Sequence, residues 1–525
     1  MNRELIALFA FGCAFAALSV ASYTRESATF DEPKHLTCGY VALKLHDYRL
    51  DNESPPFARL WAALPLMVTP GVKLNTNTPT WFSGDNNDFY KDFLYAQNNA
   101  DQLLYRARFM IVLLGVLLGG LLFWWARALF GFGTAVCVLV LYTLEPNLMA
   151  HSGLVTTDLG FACFFFGSVY FLWRLTRDFG AGDLVGLTIF FAAAMLTKFS
   201  CLLLIPILVV LLTAYAAQSG QWRHALIALS VLLAGTYLLI HAVYAFCGAD
   251  SVGPFLLPEC YLDGIRGQLA LQKNWTVFLD GKLSQHGWWV YYLVAFLIKT
   301  PMATLLLFAA GLILVFSKRR TLSLNEAFIL VPLTLFFGGA TVFRFNLGLR
   351  YILPIYPFVL LVAGQVCAQL LRDNHKWILA TLAATLLGAF FCIYPHTLAF
   401  FNLLAGGPRG GSRILVDSNL DWGQDLKPLK HWMDDHHVHQ IGLSYFGTAD
   451  PAYYGIACTR LPGYPPTPPY PVPQLPGYVA ISVTNLRGVP ITALSRKFYE
   501  PFTRATPVAT IGYSIYVFHV DRPWW

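Results

Sequence analysis

Apolar runs of about 20 residues recur along most of the chain, separated by short polar breaks. They fall at 4–22, 107–126, 133–150, 157–175, 184–198, 200–217, 225–246, 290–316, 325–343, 350–371 and 377–395. A helix of that length crosses a hydrocarbon core of about 30 Å. In lipid each backbone amide must be paired within its own segment, so these runs predict helices. They make about eleven spans, although 184–198 and 200–217 also read as one long helix. Ser19-Val20-Ala21 resembles a signal-peptide cleavage site; we read the first run as a retained anchor.

The pattern changes in two places. Between 23 and 106 it turns polar, yet Leu36, Tyr40 and Leu43 keep helical spacing. That predicts an amphipathic helix over 33–46 lying on the membrane, with a second over 56–67 after Pro55-Pro56. After 395, short β-rich runs (Arg413–Val416, Gln440–Phe446, Tyr478–Val483, Ser514–His519) alternate with a helical stretch near Asp425–Met433. Pro-rich 462–476 interrupts them. The expectation is a polytopic α-helical membrane domain over 1–395 and a small α/β domain outside the membrane over 396–525. The chain shows no internal repeat, which weighs against an inverted-repeat transporter.

Composition supports the membrane reading: 56% of the 525 residues are hydrophobic and only 12% charged, against about 25% charged in soluble proteins. The net charge of +7 is scattered at the ends of apolar runs and does not suggest a nucleic-acid partner. Arg3, Arg127, Arg174 and Arg177, Arg223, Lys318 to Arg320, and Arg372 with Lys376 occupy every second connection. The positive-inside rule puts these in the cytoplasm. The other connections then face outward: 23–106, 151–158, Lys198, 247–289, 344–350 and the tail. A plasma (inner) membrane protein is expected, with its chemistry extracytoplasmic. Of ten cysteines, Cys13, Cys137, Cys163, Cys201, Cys367 and Cys392 lie in apolar runs as small hydrophobes. Cys38, Cys260 and Cys458 lie in outer segments and Cys247 at a boundary. A Cys247–Cys260 bridge is compatible with the sequence, which cannot fix pairing.

Three groups carry candidate chemistry. Asp31-Glu32-Pro33-Lys34-His35 follows the first span. It fits a helix start, where acids and Pro are favoured. It also fits a carboxylate held ionised beside cations, able to take a proton from a hydroxyl. His151 to Asp158 forms a short outer turn, in which Asp158 is an N-cap or an acid with a role at a membrane rim. Lys198 and Arg350 are cations on the outward side, against the positive-inside trend. Either they snorkel to lipid phosphate, or they hold one particular phosphate. A sugar on a polyprenyl phosphate already has a good leaving group, so cations and one base are a minimal set. A glycosidase instead pairs two carboxyl groups across the bond.

These pieces resemble the GT-C class of polyprenyl-phosphate-dependent glycosyltransferases, in particular the subgroup of protein O-mannosyltransferases and lipid A aminoarabinose transferases, and its bacterial members most. The resemblance rests on Phe30-Asp31-Glu32, Glu53-Ser54-Pro55-Pro56-Phe57-Ala58-Arg59-Leu60, Ala150-His151 through Thr157-Asp158, Leu196-Thr197-Lys198-Phe199 and Arg350-Tyr351-Ile352-Leu353-Pro354. It implies a polyprenyl-phosphate sugar donor, an acceptor on lipid, glycan or protein, and inverting transfer on the outer face. Asp31 then matches the base, and Asp158 and Glu32 position the acceptor, the base or a metal. Lys34, Lys198 and Arg350 match donor-phosphate positions. Ser54 stands where the family commonly has His or Lys. Some relatives bind a divalent metal near these acids; here the metal is left open.

Asp417-Ser-Asn419-Leu-Asp421-Trp-Gly423 invites a calcium reading, but Trp422 and Pro428 stand where an EF-hand loop needs Gly and Glu. A strand-to-helix turn is expected there. His436, His437 and His439 beside Asp434 and Asp435 read as an exposed polar face. Asn52-Glu-Ser54 and Asn274-Trp-Thr276 fit the glycosylation acceptor pattern. Two rival functions stay open: a transporter or flippase for a lipid-linked or small solute, and a non-catalytic scaffold.

Overall fold

The computed structural model describes residues 2–51, 53–82, 86–244, 257–271, 276–317, 322–343, 346–466, 468, 470–471, 473, 475–489 and 491–524. Cys247, Asn52, Asn274 and Lys318 to Arg320 lie outside these residues. Cys260 is disulfide-bonded.

Among the described residues, eight helices are long and apolar enough to cross a membrane. The number rises to ten if Phe132–Thr143 with Pro146–Ser152, and Tyr291–Lys299 with Met302–Phe316, are each one bent span. The eleventh expected span is the 15-residue helix Ala181–Met195, about 22 Å long at 1.5 Å per residue. It packs along Asp158–Arg177 and returns the chain to that helix's start, where Lys198 meets Asp158. The runs 184–198 and 200–217 are therefore two helices, parted at Lys198 by a short turn over Phe199–Leu203.

Both bends have a cause. Pro146 and Pro301 lack the amide that would continue the helix. At the second bend the amide groups of Asn147 and Asn402 fill the gap. Asn147 Nδ2 donates to Lys299 O at 2.7 Å, and Asn402 Nδ2 to Leu297 O and Thr300 O at 2.6 and 2.8 Å. Broken helices are tolerated in membranes only where freed carbonyls are re-satisfied in this way.

The helix Glu32–Leu45 forms as its spacing predicted, but it does not lie on the membrane. Residues 35–42 are continuously buried in protein. Gly39 allows the helix Phe57–Met67 to approach so closely that a Cβ there would sit 2.2 Å from Arg59 O. Periodicity identified the apolar face but not what covers it. In Phe57–Met67, Leu64 and Met67 are exposed.

Two short strands, β1 (Val277–Leu279) and β2 (Lys282–Ser284), make an antiparallel hairpin. The tail holds a five-stranded sheet of β3 (Ile441–Ser444), β4 (Cys458–Arg460), β5 (Gly477–Ser482), β6 (Ala509–Ile511) and β7 (Ile515–Val520). Its order is β4-β3-β5-β7-β6, with β3 parallel to both β4 and β5, and β7 antiparallel to β5 and β6. Three expected runs became β3, β5 and β7. Arg413–Val416 did not become a strand, because its amides bond back to the glycine-rich 406–411 turn.

Arg3 lies over the Phe132 ring at 4.8 Å, and Arg127 pairs with Glu4 at 3.2 Å. Arg127 is 19 residues along one helix from Arg108, about 28 Å away. The basic connections thus gather at the end opposite the site described next.

Candidate active site

Four charged side chains from four separate connections meet at one end of the helical body. Asp31 precedes the helix Glu32–Leu45, and Asp158 opens Asp158–Arg177. Lys198 sits in the turn after Met195, and Arg350 in the tight helical stretch Leu349–Ile355. Arg350 Nη1 is 3.0 Å from Asp31 Oδ2 and 3.6 Å from Asp158 Oδ2. Lys198 Nζ is 2.5 Å from Asp158 Oδ1 and 3.9 Å from the centre of the Tyr351 ring. The Asp158 side chain is fully buried, whereas that of Asp31 is 27% exposed. Only Asp31 of the two can meet a molecule arriving from outside. Asp158 instead holds Lys198 and Arg350 side by side.

Glu32 and Lys34 are placed elsewhere. Glu32 accepts from Arg108 Nε and Nη2 at 2.8 and 2.6 Å, Thr29 N and Oγ1 at 2.8 and 3.0 Å, and Val155 N at 2.9 Å. Burial would raise its carboxyl, but Arg108 and these bonds outweigh that, and it lies below its ordinary range. With both oxygens occupied, Glu32 is a clamp joining the Asp31 loop to the turn before Asp158, not an acid facing the mouth. Lys34 pairs with Asp51 at 3.1 Å and with Glu53. Asp51 is gripped in turn by Arg59. Burial opposes ionisation of Asp51, yet Lys34 and Arg59 hold its carboxyl well below the usual range. Lys34 therefore belongs to a loop cluster beside the Lys198–Arg350 pair, not to the pair itself.

The tail enters the site, which the sequence reading did not foresee. Residues 417–425 bridge the loop that carries Asp31 and the stretch that carries Arg350. Phe30 N donates to Trp422 O and Ser27 N to Gln424 O, both at 2.8 Å. Leu349 N donates to Asn419 Oδ1 at 2.9 Å, and Ser418 Oγ to Leu347 O at 3.1 Å. Lys299 Nζ donates to Leu398 O at 2.8 Å and to Asn419 O. The Arg350 guanidinium lies 4.3 Å from the Trp422 ring centre, within cation–π range. Phe30 stacks against Phe446 and Tyr464, at 5.3 and 5.8 Å between ring centres. The usable signal was the density of acids, amides and one Trp in 417–425; its failure as a calcium loop left that density unexplained.

Buried Asp421 shows what this seat costs. Its Oδ2 accepts from Thr484 N at 2.9 Å, but burial pushes the carboxyl up to about 8. The folded chain then holds a proton there that an unfolded chain loses near the ordinary value of about 3.9. Stability therefore falls as pH rises from about 4 to about 8. Asp421→Asn is expected to melt with wild type near pH 4 and above it at pH 9. Equal melting temperatures at pH 9 would refute the assignment.

Among the described residues, no three His, Cys, Asp or Glu side chains come together to hold a metal. Asp31 and Asp158 already face Arg350 and Lys198, so these acids do not fit a metal ion. His436 stacks on Trp432 at 4.5 Å.

Residues 101–244, which include Asp158 and Lys198, match the family model described as dolichyl-phosphate-mannose-protein mannosyltransferase. No curated protein matches the chain in sequence. In structure it is similar to ArnT from Cupriavidus metallidurans bound to undecaprenyl phosphate, over 97% of each chain, with 14% identity and a TM-score of 0.51. The apo form of that protein overlays on 98% of each chain, with 13% identity and a TM-score of 0.52. The apo oligosaccharyltransferase of Archaeoglobus fulgidus overlays less well, over 94% of this chain and 72% of that one, with 12% identity and a TM-score of 0.49. The fold is of the GT-C type: a multi-pass helical membrane body with a small C-terminal sheet region. The likeness to GT-C glycosyltransferases read from the motifs holds over 101–244 in sequence and over nearly the whole chain in fold.

Proposed function

We propose that this protein is a membrane glycosyltransferase that moves a sugar from a polyprenyl phosphate to an acceptor hydroxyl on lipid, glycan or protein. One observation carries the reading. A partly open carboxylate stands against a half-buried, carboxylate-braced pair of cations, Lys198 and Arg350, at one end of a membrane body. Lys198 and Arg350 grip the donor phosphate, Arg350 through paired donors and Lys198 as a point charge. The acceptor oxygen attacks the anomeric carbon from the side away from the phosphate. Asp31 takes the hydroxyl proton, and the bond from the anomeric carbon to the phosphate oxygen breaks with its electron pair leaving on the phosphate. One displacement inverts the anomeric centre. The cations stabilise the charge developing on the leaving group.

The site faces outward in this reading, because Arg127, Arg174, Arg177 and Arg372 end helices on the opposite side. A donor resembling the undecaprenyl phosphate seen with ArnT suits the clamp. A transporter would place ionisable groups on broken helices at mid-membrane. Lys299 and Glu145 do stand at the two helix breaks, but Lys299 is tied to the tail carbonyls of Leu398 and Asn419, and the Glu145 side chain to Asn147. These are braces of the site end.

The test is to incubate purified protein with a panel of radiolabelled polyprenyl-phosphate sugars. Consumption of one of them is expected; solute flux in proteoliposomes with no donor consumed overturns the reading. With the donor in hand, Arg350→Met should raise its KM roughly 10–100-fold, the scale of a lost hydrogen bond between charged groups.

A further inference from the structure

The tail brings one acid to the mouth that the reaction above does not use. Asp417 sits in the left-handed region, at φ +60°, a conformation that non-glycine residues adopt mainly under constraint. Its own N–H donates to Thr484 Oγ1 at 3.1 Å, and its Oδ1 accepts from Ser418 N at 2.6 Å. Oδ2 accepts no hydrogen bond from a described residue. Its location follows from its neighbour. Ser418 Oγ and Arg350 Nε both donate to Leu347 O, each at 3.1 Å. Asp417 is thus held one residue from the carbonyl that orients Arg350, on the tail side of the cluster. Tyr464, which stacks on Phe30 beside Asp31, acts electrostatically with Asp417 and with Glu53. Asp417 is half-buried as a residue. Burial lifts its carboxyl to about 6 and Asp31 adds to this, against the pull of Arg350.

An acid with a free oxygen, fixed by its backbone and flanked by an aromatic wall, suits a polyhydroxylated ring better than a phosphate. We infer that Asp417 recognises the sugar carried by the donor, accepting hydrogen bonds from ring hydroxyl or amino groups, while Tyr464 and Phe30 line the space for the ring's C–H face. This rests on the glycosyl-transfer reading. It gives the C-terminal region a share in choosing the sugar.

Asp417→Asn tests it cleanly. Asn tolerates the left-handed conformation well, and its Oδ1 can still accept from Ser418 N, so the change is confined to the charge and to the free acceptor oxygen, which becomes an NH2 donor. Asp417→Gly keeps the backbone and removes the side chain. Two probes are compared on each variant: polyprenyl phosphate without sugar, and the sugar-bearing donor. The expected result is unchanged binding of bare polyprenyl phosphate and, for Asp417→Asn, a melting temperature no lower than wild type. KM for the sugar-bearing donor should rise roughly tenfold with a smaller change in kcat. Equal losses for both probes, or no loss for either, would overturn the role of Asp417 while leaving the transfer reading intact. Wild-type protein that binds neither probe would sink the transfer reading, and this assignment with it.

Discussion

Asp31→Asn is expected to lower sugar transfer by roughly 10²–10⁴-fold, the span that a positioned general base contributes, while the protein still inserts and still binds polyprenyl phosphate. The reason is geometric. Of the three acids the sequence nominates, Glu32 has both oxygens occupied by Arg108, Thr29 and Val155. Asp158 is fully buried against Lys198. Asp31 alone keeps an exposed carboxylate and shares Arg350 with the proposed phosphate site. Asn preserves shape and can still accept from Arg350, but it cannot take a proton. The measurement is a single-turnover assay with the donor found by the panel, beside a binding assay with bare polyprenyl phosphate. Wild-type turnover in this variant would remove Asp31 from the mechanism.

The second large effect is on stability. Arg108 and Glu32 are both fully buried and pair at 2.6 Å. Arg108 also donates to Tyr23 O and Ser27 O at 2.7 and 2.8 Å. Arg108→Met strands a buried carboxylate, which costs about 3–5 kcal/mol. A sharply lower melting temperature in detergent, or failure to accumulate, is expected. Adding Glu32→Gln removes the stranded charge while keeping an acceptor for Val155 N, so the double variant should recover part of the loss. A single variant as stable as wild type would show that the clamp contributes little.

The membrane body was largely legible because lipid imposes a simple rule: long apolar runs must be helices. Ala181–Met195 was placed well for the same reason, although it is short. The helix Glu32–Leu45 was read correctly as a helix and wrongly as a surface element, since periodicity cannot tell lipid from protein as the covering medium. Asp31, Asp158, Lys198 and Arg350 stood out because charge at a membrane rim is costly without a partner. Glu32 and Lys34 stood out equally, and only three-dimensional pairing separates them from the cluster. Trp422 and Asp417 were weighed only as parts of a calcium loop that fails. They lie in the polar tail, where an acid or a Trp carries no desolvation cost that a sequence could reveal, and their position depends on contacts with residues some 70 to 400 positions earlier.

The seating of residues 417–425 between Phe30 and Leu349 has a consequence for biosynthesis. Asp31 leaves the ribosome well before the segment that fixes its loop, which follows the membrane helix Lys376–Ile393. Throughout insertion, then, the charged cluster has no lining on its tail side. The cluster is lined around its arginine only once residues 417–425 have been made, so a chain cut short before them would sit in the bilayer with its helices in place and its charged cluster unlined.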